Sequence, residues 1–331
     1  MFFCGHVSFL VTMIERPIPF EAFMQKALHD PKSGYYARQI RTVGRGGDFT
    51  TLPVIATQNL AQAIASWVAD AVALTGCRDL IEMGAGTGQL LAELRRRLPL
   101  RIRWKMRFHV VETSETLRLQ QRASFSGKLR WHDHASAALR ACDGRAILIS
   151  NELVDAFAVR RYQKTPDGWR EMAVHFGENG EAIESLLPVA ALPESSIFSD
   201  RAPHFGNGQM VEVHSSYQKF LTEWLPQWKA GKLLTIDYGW RVKDAYVRQP
   251  RGSLRGYLFH QRMEGLQIYQ HLGRQDLTAD VNFTDLVDWS ERWAEVQSLD
   301  SLNAFMSRWG ASSVGDAGDQ FLVLDQLARK C

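Results

Sequence analysis

The 331-residue chain has few cysteines, and none of them forms a pattern typical of metal binding or of a disulfide framework. Cys4, Cys77, Cys142 and Cys331 are scattered, with no CxxC pair and no histidine at ligand spacing. The 10 histidines form no HExxH motif either. We therefore predict no metal site and no disulfide network, and the sparse thiols favour a reducing compartment, which we take to be the cytoplasm.

Long apolar runs and a strong net charge are also missing. No segment approaches the ~20 apolar residues that cross a bilayer, so no membrane span is expected. The net charge is +3, from 39 basic and 36 acidic residues, which is too small to predict a nucleic-acid partner. The apolar N-terminus has neither a basic region nor a cleavage site, so it does not fit a signal peptide. We expect translation to begin at Met13 rather than at Met1.

What the sequence does contain is an alternation of strand and helix patterns. A strongly amphipathic stretch at 57–73 predicts a helix, and shorter apolar runs with helical segments between them predict strands. The expected core strands lie at 79–83, 107–111, 128–131, 146–150, 232–236 and 320–327. This order predicts an α/β fold with a parallel, Rossmann-like sheet.

The pattern divides the chain into consecutive regions. The predicted regions are an N-terminal helical extension with a long loop (1–56), the Rossmann-like core (57–156), an inserted β-hairpin and loop (157–208), and the rest of the core (209–331) with a substrate-side connector (240–283). The loop at 30–51 has no periodicity but carries Tyr35, Tyr36 and Phe49. Aromatic residues argue against disorder, so we expect this loop to be functional.

The stretch "IEMGAGTG" at 81–88 places three glycines between a strand and a helix. Open α/β sheets bind ligands at this edge, glycines allow the ligand to approach the main chain, and helix-start amides favour an anion. A dinucleotide fingerprint has its third glycine one residue later, so the spacing favours S-adenosyl-L-methionine. Residues expected to contact the cofactor here are Glu82, Gly84, Ala85, Gly86, Thr87 and Gly88. Glu82 either binds the ligand's ammonium group or orients the loop.

A second acidic position follows the next strand. Glu112 lies 28 residues after Gly84. A carboxylate at this place can accept hydrogen bonds from both hydroxyls of a ribose. Asp133, after the third strand, is expected to accept a hydrogen bond from the adenine amine, with Trp131 or His132 covering the ring. Ordinary loop roles are the alternative for these last three residues.

Candidate catalytic residues follow the fourth strand in the motif "NELVDA". We expect Asn151, Glu152 and Asp155 to face the methyl acceptor, because carboxylates there would stabilise the positive charge that develops on it. Glu152 and Asp155 share a face if a helix begins at this point. The alternative is that Asn151 or Asp155 caps that helix. Asp237, with Tyr238, is a second acidic position at the same edge.

Eight motifs in order extend this interpretation to most of the chain. They are "SGYY" (33–36), "GGDFTTLP" (46–53), "IEMGAGTG" (81–88), "NELVDAFAVRRY" (151–162), "GWREM" (168–172), "LLTIDYG" (233–239), "GSLRGY" (252–257) and "QDLTADVNF" (275–283). With them the chain resembles the class I S-adenosyl-L-methionine-dependent methyltransferases of the mitochondrial complex I assembly factor seven family. The resemblance implies a protein arginine as acceptor, hence a protein partner, and a 30–51 loop that covers the cofactor through Asp48, Phe49 and Thr51.

One departure from that family keeps an alternative open. The family usually has "TSPEIS" where this chain has "TLPVIA" (51–56), so a glutamate is missing. An assembly or interaction protein that binds the cofactor without productive methyl transfer is therefore the main rival. A nicotinamide dehydrogenase is disfavoured by the glycine spacing, and a nucleic-acid methyltransferase by the lack of an NPPY-type segment.

Overall fold

The computed structural model describes residues 16–38, 52–188, 191–247, 249–259 and 261–329, with the backbone alone described at 37–38 and at 52–56. Its α-helices are α1 (Phe20–His29), α2 (Tyr35–Arg38), α3 (Leu52–Thr75), α4 (Gln89–Arg97), α5 (Leu100–Arg103), α6 (Glu115–Ser124), α7 (Ala135–Arg140), α8 (Ser215–Trp224), α9 (Phe283–Ser290) and α10 (Leu302–Arg308). Within these ranges, no helix combines the length and apolarity that crossing a bilayer requires.

Many short strands accompany the helices. They are β1 (Ile18–Pro19), β2 (Asp79–Met83), β3 (Arg107–Val111), β4 (Leu129–His132), β5 (Ile147–Asn151), β6 (Arg160–Thr165), β7 (Gly168–Phe176), β8 (Ala182–Leu187), β9 (Met210–Val213), β10 (Lys232–Trp240), β11 (Arg255–Leu258), β12 (Gln261–Met263), β13 (Asp276–Thr278), β14 (Val281–Asn282), β15 (Ala294–Ser301) and β16 (Phe321–Ala328). The chain forms two compact units, each built from separate segments. The sheet unit takes 42–154, 218–240 and 286–331, and the second unit takes 1–41, 155–217 and 241–285.

The sheet unit contains a mostly parallel sheet in the order β15-β16-β10-β5-β2-β3-β4. The strands from β10 to β4 run parallel to their neighbours, whereas β16 is antiparallel to β10 and to β15. Every residue of β2 is buried, as expected for a central strand that is covered on both faces. The predicted α/β, Rossmann-like fold is therefore confirmed, with two antiparallel strands added at one edge.

A single apolar core fixes the position of the glycine loop in this unit. The face of α3 that carries Leu60, Ile64, Trp67 and Val68 is buried, at the i, i+3, i+4 spacing of an amphipathic helix. This helix packs against α4, the helix that begins directly after the glycine loop. Burial of Leu80 in the same core holds β2, so both flanks of the loop are anchored.

The second unit contains two smaller sheets. Its larger sheet has the order β1-β7-β6-β9, with β8 paired to β7. The predicted hairpin is present, since Thr165 pairs with Gly168 at the turn between β6 and β7. The smaller sheet has the order β12-β11-β13. In the structure the hairpin belongs to the same compact unit as 241–285, and the four predicted regions do not coincide with its two units.

The condition under which Glu152 and Asp155 would share a helical face is not met. No helix follows β5, and Glu152 has a φ of +47°, which lies outside the range of α-helical backbone. Strand β15 was not expected, since its pattern "AEVQSLDS" is mainly polar and it lies at the sheet edge. The connector predicted at 240–283 contains strands, among them β11 and β13.

Candidate active site

The glycine loop leaves β2 in a conformation that only glycine adopts readily. Gly84, Gly86 and Gly88 have φ values of +68°, +51° and +78°, in the left-handed region where a Cβ atom is strained. The amide of Gly84 donates to the Val111 carbonyl of the next strand at 3.0 Å. Gly88 is the N-cap of α4, so the loop leads directly into a helix N-terminus.

The middle glycine faces open space. A Cβ atom built on Gly86 would meet no atom of the described residues within 4 Å. On Gly84, by contrast, it would lie 2.7 Å from Leu153 Cδ1, and on Gly88 3.1 Å from Gln121 Cγ. Gly84 and Gly88 are thus required for packing, while the main chain at Gly86 is open to a ligand. Ala85 is buried in the core, and Thr87 is partly exposed.

Glu82 is a buried carboxyl group with an unsatisfied oxygen. The residue is 3% exposed, and its Oε2 atom has no hydrogen-bond partner among the described residues. Burial raises the pKa of Glu82 to about 8, because a carboxylate is poorly solvated there. An ammonium group would supply both the missing hydrogen bond and the missing charge, so Glu82 fits the amino-acid end of S-adenosyl-L-methionine.

Glu112 lies just past β3 and is held in place by the start of α6. Its Oε1 accepts from the Ser114 amide at 2.8 Å, and Gln121 Nε2 donates to its Oε2 at 3.4 Å. Burial raises the pKa of Glu112, although these hydrogen bonds favour the ionised form. A carboxylate in this position can accept hydrogen bonds from ribose hydroxyls.

The sequence analysis missed Gln121, which joins the parts of this site. Its Nε2 donates to the Gly86 carbonyl at 2.8 Å, and its Oε1 accepts from Trp131 Nε1 at 2.8 Å. Gln121 is fully buried on α6, four residues after the buried Leu117. A glutamine on the apolar face of an amphipathic helix is the signal that could have identified it, since buried amides need partners.

The three residues considered for the adenine ring lie in different surroundings. Trp131 is partly buried and, through Gln121, is connected to the glycine loop. The His132 ring instead stacks on His109, with His132 Nε2 and His109 Nδ1 3.0 Å apart. Asp133 is exposed and pairs with Arg118 at 2.6 Å. Their contacts with adenine stay a prediction, in which the structure favours Trp131 over His132.

His109 belongs to a buried polar cluster that also contains Asp79 and Cys142. Possible ligand atoms of these three residues lie within 4.8 Å of one another. Burial alone would raise the pKa of Asp79, but hydrogen bonds from Arg107 and His109 lower it to about 2. Because Arg107 donates to both carboxylate oxygens, we assign the cluster a structural role and propose no metal ion.

Asn151 is the last residue of β5, and Glu152 follows it in a strained turn of the sheet unit. Asn151 Nδ2 lies 3.5 Å from Glu152 Oε1, and the Glu152 amide donates to the Ile236 carbonyl at 2.9 Å. Asp237 accepts from the Val154 amide and from the Tyr238 amide, both at 2.9 Å. Asp237 therefore anchors this turn, and strain of this kind is common at functional sites.

Two groups of predicted site residues do not belong to the described part of the sheet unit. Asp155 belongs to the second unit, where its Oδ2 accepts from Thr278 Oγ1 at 2.8 Å. Asp48, Phe49 and Thr51 lie outside the described residues, so their predicted cofactor contacts stay a prediction. The sheet unit thus brings together the glycine loop, Glu82 and Glu112, the residues predicted to hold the cofactor.

A glycine loop after the opening strand of a mostly parallel sheet, with a carboxylate after the next strand, defines a Rossmann-like nucleoside-binding fold. A family model of S-adenosyl-L-methionine-dependent methyltransferases matches residues 63–302. The chain belongs to this family, and S-adenosyl-L-methionine is its methyl donor. The alternative of a binding protein without methyl transfer is not favoured.

Curated relatives carry a more specific description. The chain is 26% identical to the mitochondrial protein arginine methyltransferase NDUFAF7 homolog of Caenorhabditis elegans, over 83% of this chain and 69% of the relative. It is 25% identical to the protein arginine methyltransferase NDUFAF7 of Danio rerio, over 82% and 68%, and 25% identical to that of Homo sapiens, over 82% and 65%.

Solved structures show the same fold. A Burkholderia thailandensis protein solved with S-adenosyl-homocysteine bound superimposes with a TM-score of 0.84 at 24% identity, over 98% of this chain and 91% of that one. An uncharacterized protein of the same superfamily from that organism gives a TM-score of 0.80 at 26% identity, again over 98% and 91%.

Proposed function

We propose that the methyl acceptor of this enzyme is an arginine side chain of a partner protein. The observation that carries the proposal is the carboxyl residue Glu152, directly after β5, in a methyltransferase whose curated relatives are named protein arginine methyltransferases. Carboxylates match the charge and the forked geometry of a guanidinium.

The residues of the sheet unit are suited to hold the methyl donor. The open main chain at Gly86 would accommodate the amino-acid end, Glu82 would neutralise its ammonium group, and Glu112 would accept hydrogen bonds from the ribose. When bound, S-adenosyl-L-methionine supplies an electrophilic methyl group. The protein contributes by positioning the acceptor and by electrostatics, which account for much of the rate enhancement in such reactions.

Arginine is a weak nucleophile, so its methylation requires carboxylates next to the guanidinium. Its guanidinium has a pKa far above neutrality and remains protonated at neutral pH, so its nitrogens are poor nucleophiles. A carboxylate that binds two of the N–H groups concentrates the positive charge on that side and leaves the remaining nitrogen more reactive. Glu152 is the carboxylate of the sheet unit that we expect to act in this way, with the Asn151 amide as a further hydrogen-bonding group, and the predicted role of Asp155 stays a prediction.

The experiment is to identify the methylated residue. The purified enzyme would be incubated with methyl-labelled S-adenosyl-L-methionine and a lysate from cells that lack it, and labelled protein would be hydrolysed to amino acids. We expect methylarginine, and no label with Gly86→Val. Label on lysine, on another residue or in nucleic acid would contradict the proposal. Cofactor binding without any transfer would support the interaction-protein alternative instead.

We also propose that this enzyme acts in the cytoplasm. Cys77 and Cys142 are buried as free thiols, which suits a reducing compartment. The relatives named above carry mitochondrial names, so the experiment must distinguish the cytoplasm from an organelle. Fractionation of cells of the source organism, followed by immunodetection of the native protein, would place it in the soluble cytoplasmic fraction if this is right, and in an organelle or membrane fraction if it is wrong.

A further inference from the structure

The low net charge of the chain conceals a local excess of positive charge between α4 and β3. Residues 95–107 contain seven basic residues and no acidic residue, whereas the whole chain carries only +3. Because the strands from β10 to β4 run parallel to their neighbours, their first residues lie at one edge of the sheet and the glycine loop, which follows the end of β2, lies at the other. The basic segment enters β3 at Arg107 and therefore lies at the amino edge, away from the predicted cofactor site.

Other strands of the sheet bring further cations to the amino edge. Arg78 directly precedes β2, and its carbonyl accepts from the Arg107 amide at 2.8 Å. Lys128 directly precedes β4, and Arg145 lies shortly before β5. Neighbouring strands are about 4.8 Å apart, so these four basic residues form a row along the edge of the strands β5-β2-β3-β4.

Carboxylates neutralise only some of these cations. Glu93 pairs with two arginines of α4, and Arg107 pairs with the buried Asp79 and also interacts with the exposed Asp143. Six further cations of this edge have neither an ion pair with a carboxylate nor a contact with an aromatic ring, within the part of the chain that the structure describes. They are Arg78, Arg101, Arg103, Lys105, Lys128 and Arg145. We call these six residues, together with Leu100 and Trp104, the basic edge.

Two apolar side chains are exposed among the cations of the basic edge. Trp104 is 82% exposed and Leu100 is 58% exposed, although tryptophan is on average a highly buried residue. Trp104 lies between Arg103 and Lys105 in the sequence, directly after α5. Tryptophan and arginine are enriched in protein interfaces and supply much of their binding energy. The composition of the basic edge is therefore typical of a protein interface.

The apolar part of the basic edge favours a protein over the two other classes of anionic partner. Single-stranded nucleic acids need aromatic rings on which successive bases stack, but the basic edge has one such ring, that of Trp104, and the aliphatic Leu100. Amphipathic helices that lie on a membrane surface have long apolar faces, whereas α5 has four residues. An acidic protein segment can place carboxylates on the cations and apolar side chains on Trp104 and Leu100.

We propose that the basic edge is a docking surface for a partner protein that presents a segment rich in aspartate and glutamate, with apolar residues among them. The proposal goes beyond the proposed function, because this surface lies at the opposite edge of the sheet from the cofactor site and its role does not depend on which residue is methylated. Arginine binds carboxylates through two N–H groups at once. A basic field without neutralising carboxylates also accelerates and orients the encounter with an acidic partner.

Binding of a defined acidic peptide tests the proposal directly. The probe is a labelled synthetic peptide of glutamate and leucine residues, titrated into the purified full-length protein at an ionic strength of about 0.15 M. Its comparator has glutamine in place of every glutamate. We expect the parent to bind the acidic peptide in preference to the comparator, and Arg101→Glu/Lys105→Glu to weaken this binding by roughly tenfold or more. Lys219→Glu/Lys243→Glu makes the same change in charge at two exposed positions outside the basic edge and should bind like the parent.

Trp104 provides a second readout, which separates docking from nonspecific attraction between charges. Trp104→Ala should weaken peptide binding by roughly fivefold or more without altering its dependence on salt, whereas Arg101→Glu/Lys105→Glu should make that dependence shallower. Leu266→Ala, at a position that is 58% exposed in the second unit, is the matched control for the loss of an exposed apolar side chain. Each variant should keep the parent's affinity for S-adenosyl-homocysteine, because all the substituted side chains are exposed.

Three results would overturn the docking role of the basic edge. The first is equal affinity of the parent for the acidic peptide and for its glutamine comparator. The second is unchanged peptide binding by either Arg101→Glu/Lys105→Glu or Trp104→Ala. The third is tighter binding of the parent to a single-stranded oligonucleotide, or to vesicles of anionic lipid, than to the peptide, which would assign these residues to a different class of partner. None of these results bears on the proposed function, which the identity of the methylated residue decides.

Discussion

The side-chain amide of Gln121 donates to the main-chain carbonyl of Gly86 at 2.8 Å. This bond ties the most open part of the glycine loop to α6, the helix that follows β3. The same amide reaches Glu112 Oε2 at 3.4 Å. One side chain therefore sets the position of the loop relative to the carboxylate predicted to bind the ribose.

Replacing Gln121 with methionine should both destabilise the fold and weaken cofactor binding. The variant keeps the length of the side chain but loses its bonds to Gly86, Glu112 and Trp131. Each unsatisfied buried partner costs about 1–3 kcal/mol, so we expect an affinity for S-adenosyl-homocysteine roughly ten- to a hundredfold lower by calorimetry. Gln62→Met, on the exposed face of α3, is the control. Equal affinity in the two variants would argue against this role for Gln121.

A pair of glycine substitutions separates backbone strain from ligand exclusion. Gly86 and Gly76 have φ values of +51° and +68°, and a Cβ atom on either would meet no described atom within 4 Å. Both alanine variants should lose about 1 kcal/mol of stability from the left-handed backbone, measured by urea denaturation. Only Gly86→Ala should also lose S-adenosyl-homocysteine affinity. If both bind normally, the main chain at Gly86 does not contact the cofactor.

The strand, glycine loop and helix of the cofactor site could be predicted because each depends on neighbouring residues. Periodicity locates β2 and α4, and the φ values of the loop explain its glycines. The bonds from Tyr36 to Asp276 and from Thr278 to Asp155 join residues 240 and 123 positions apart. No local pattern encodes such pairs, since the fold of the second unit alone brings them together.

The shared helical face considered for Glu152 and Asp155 depended on a helix that the structure does not form. Their spacing of three residues fits such a face, but the backbone turns at Glu152, which has a positive φ. A non-glycine residue there is unfavourable by about 1–3 kcal/mol, and the turn is held by Asp237, which lies 83 positions beyond Val154. Local sequence propensity cannot reveal a strained turn that is stabilised by a carboxylate distant in the sequence.

Substituting Asp237 should therefore destabilise the fold as well as reduce activity. Its carboxylate is fully buried and accepts from the amides of Val154 and Tyr238. Asp237→Ala leaves both donors unsatisfied, at about 1–3 kcal/mol each, and should release the strained turn at Glu152. We expect a lower urea midpoint and slower methyl transfer. Asp316→Ala, at an exposed position of the same unit, should match the parent, and a stable Asp237→Ala would contradict the anchoring role.

Glu82 gives the apoprotein a pH-dependent stability that the cofactor should remove. The pKa of Glu82 is raised to about 8 in the folded protein, from an ordinary value of 4.5. Below pH 4.5 the carboxyl is protonated in both states and makes no difference, but between these values only the unfolded state ionises. The folded state thus loses stability as pH rises from about 5 to about 8, after which the loss is constant.

Comparison with Glu82→Gln isolates this effect. The amide variant does not titrate, so its free energy of unfolding should fall less than that of the parent between pH 5 and pH 8 in urea denaturation. An ammonium group that pairs with Glu82 lowers its pKa, so S-adenosyl-homocysteine should stabilise the parent more at pH 8 than at pH 5 and should release a proton on binding near pH 7. Calorimetry in buffers of different ionisation enthalpy measures that proton. If none is released, or if Glu82→Gln binds as tightly as the parent, Glu82 orients the glycine loop and does not contact the ligand.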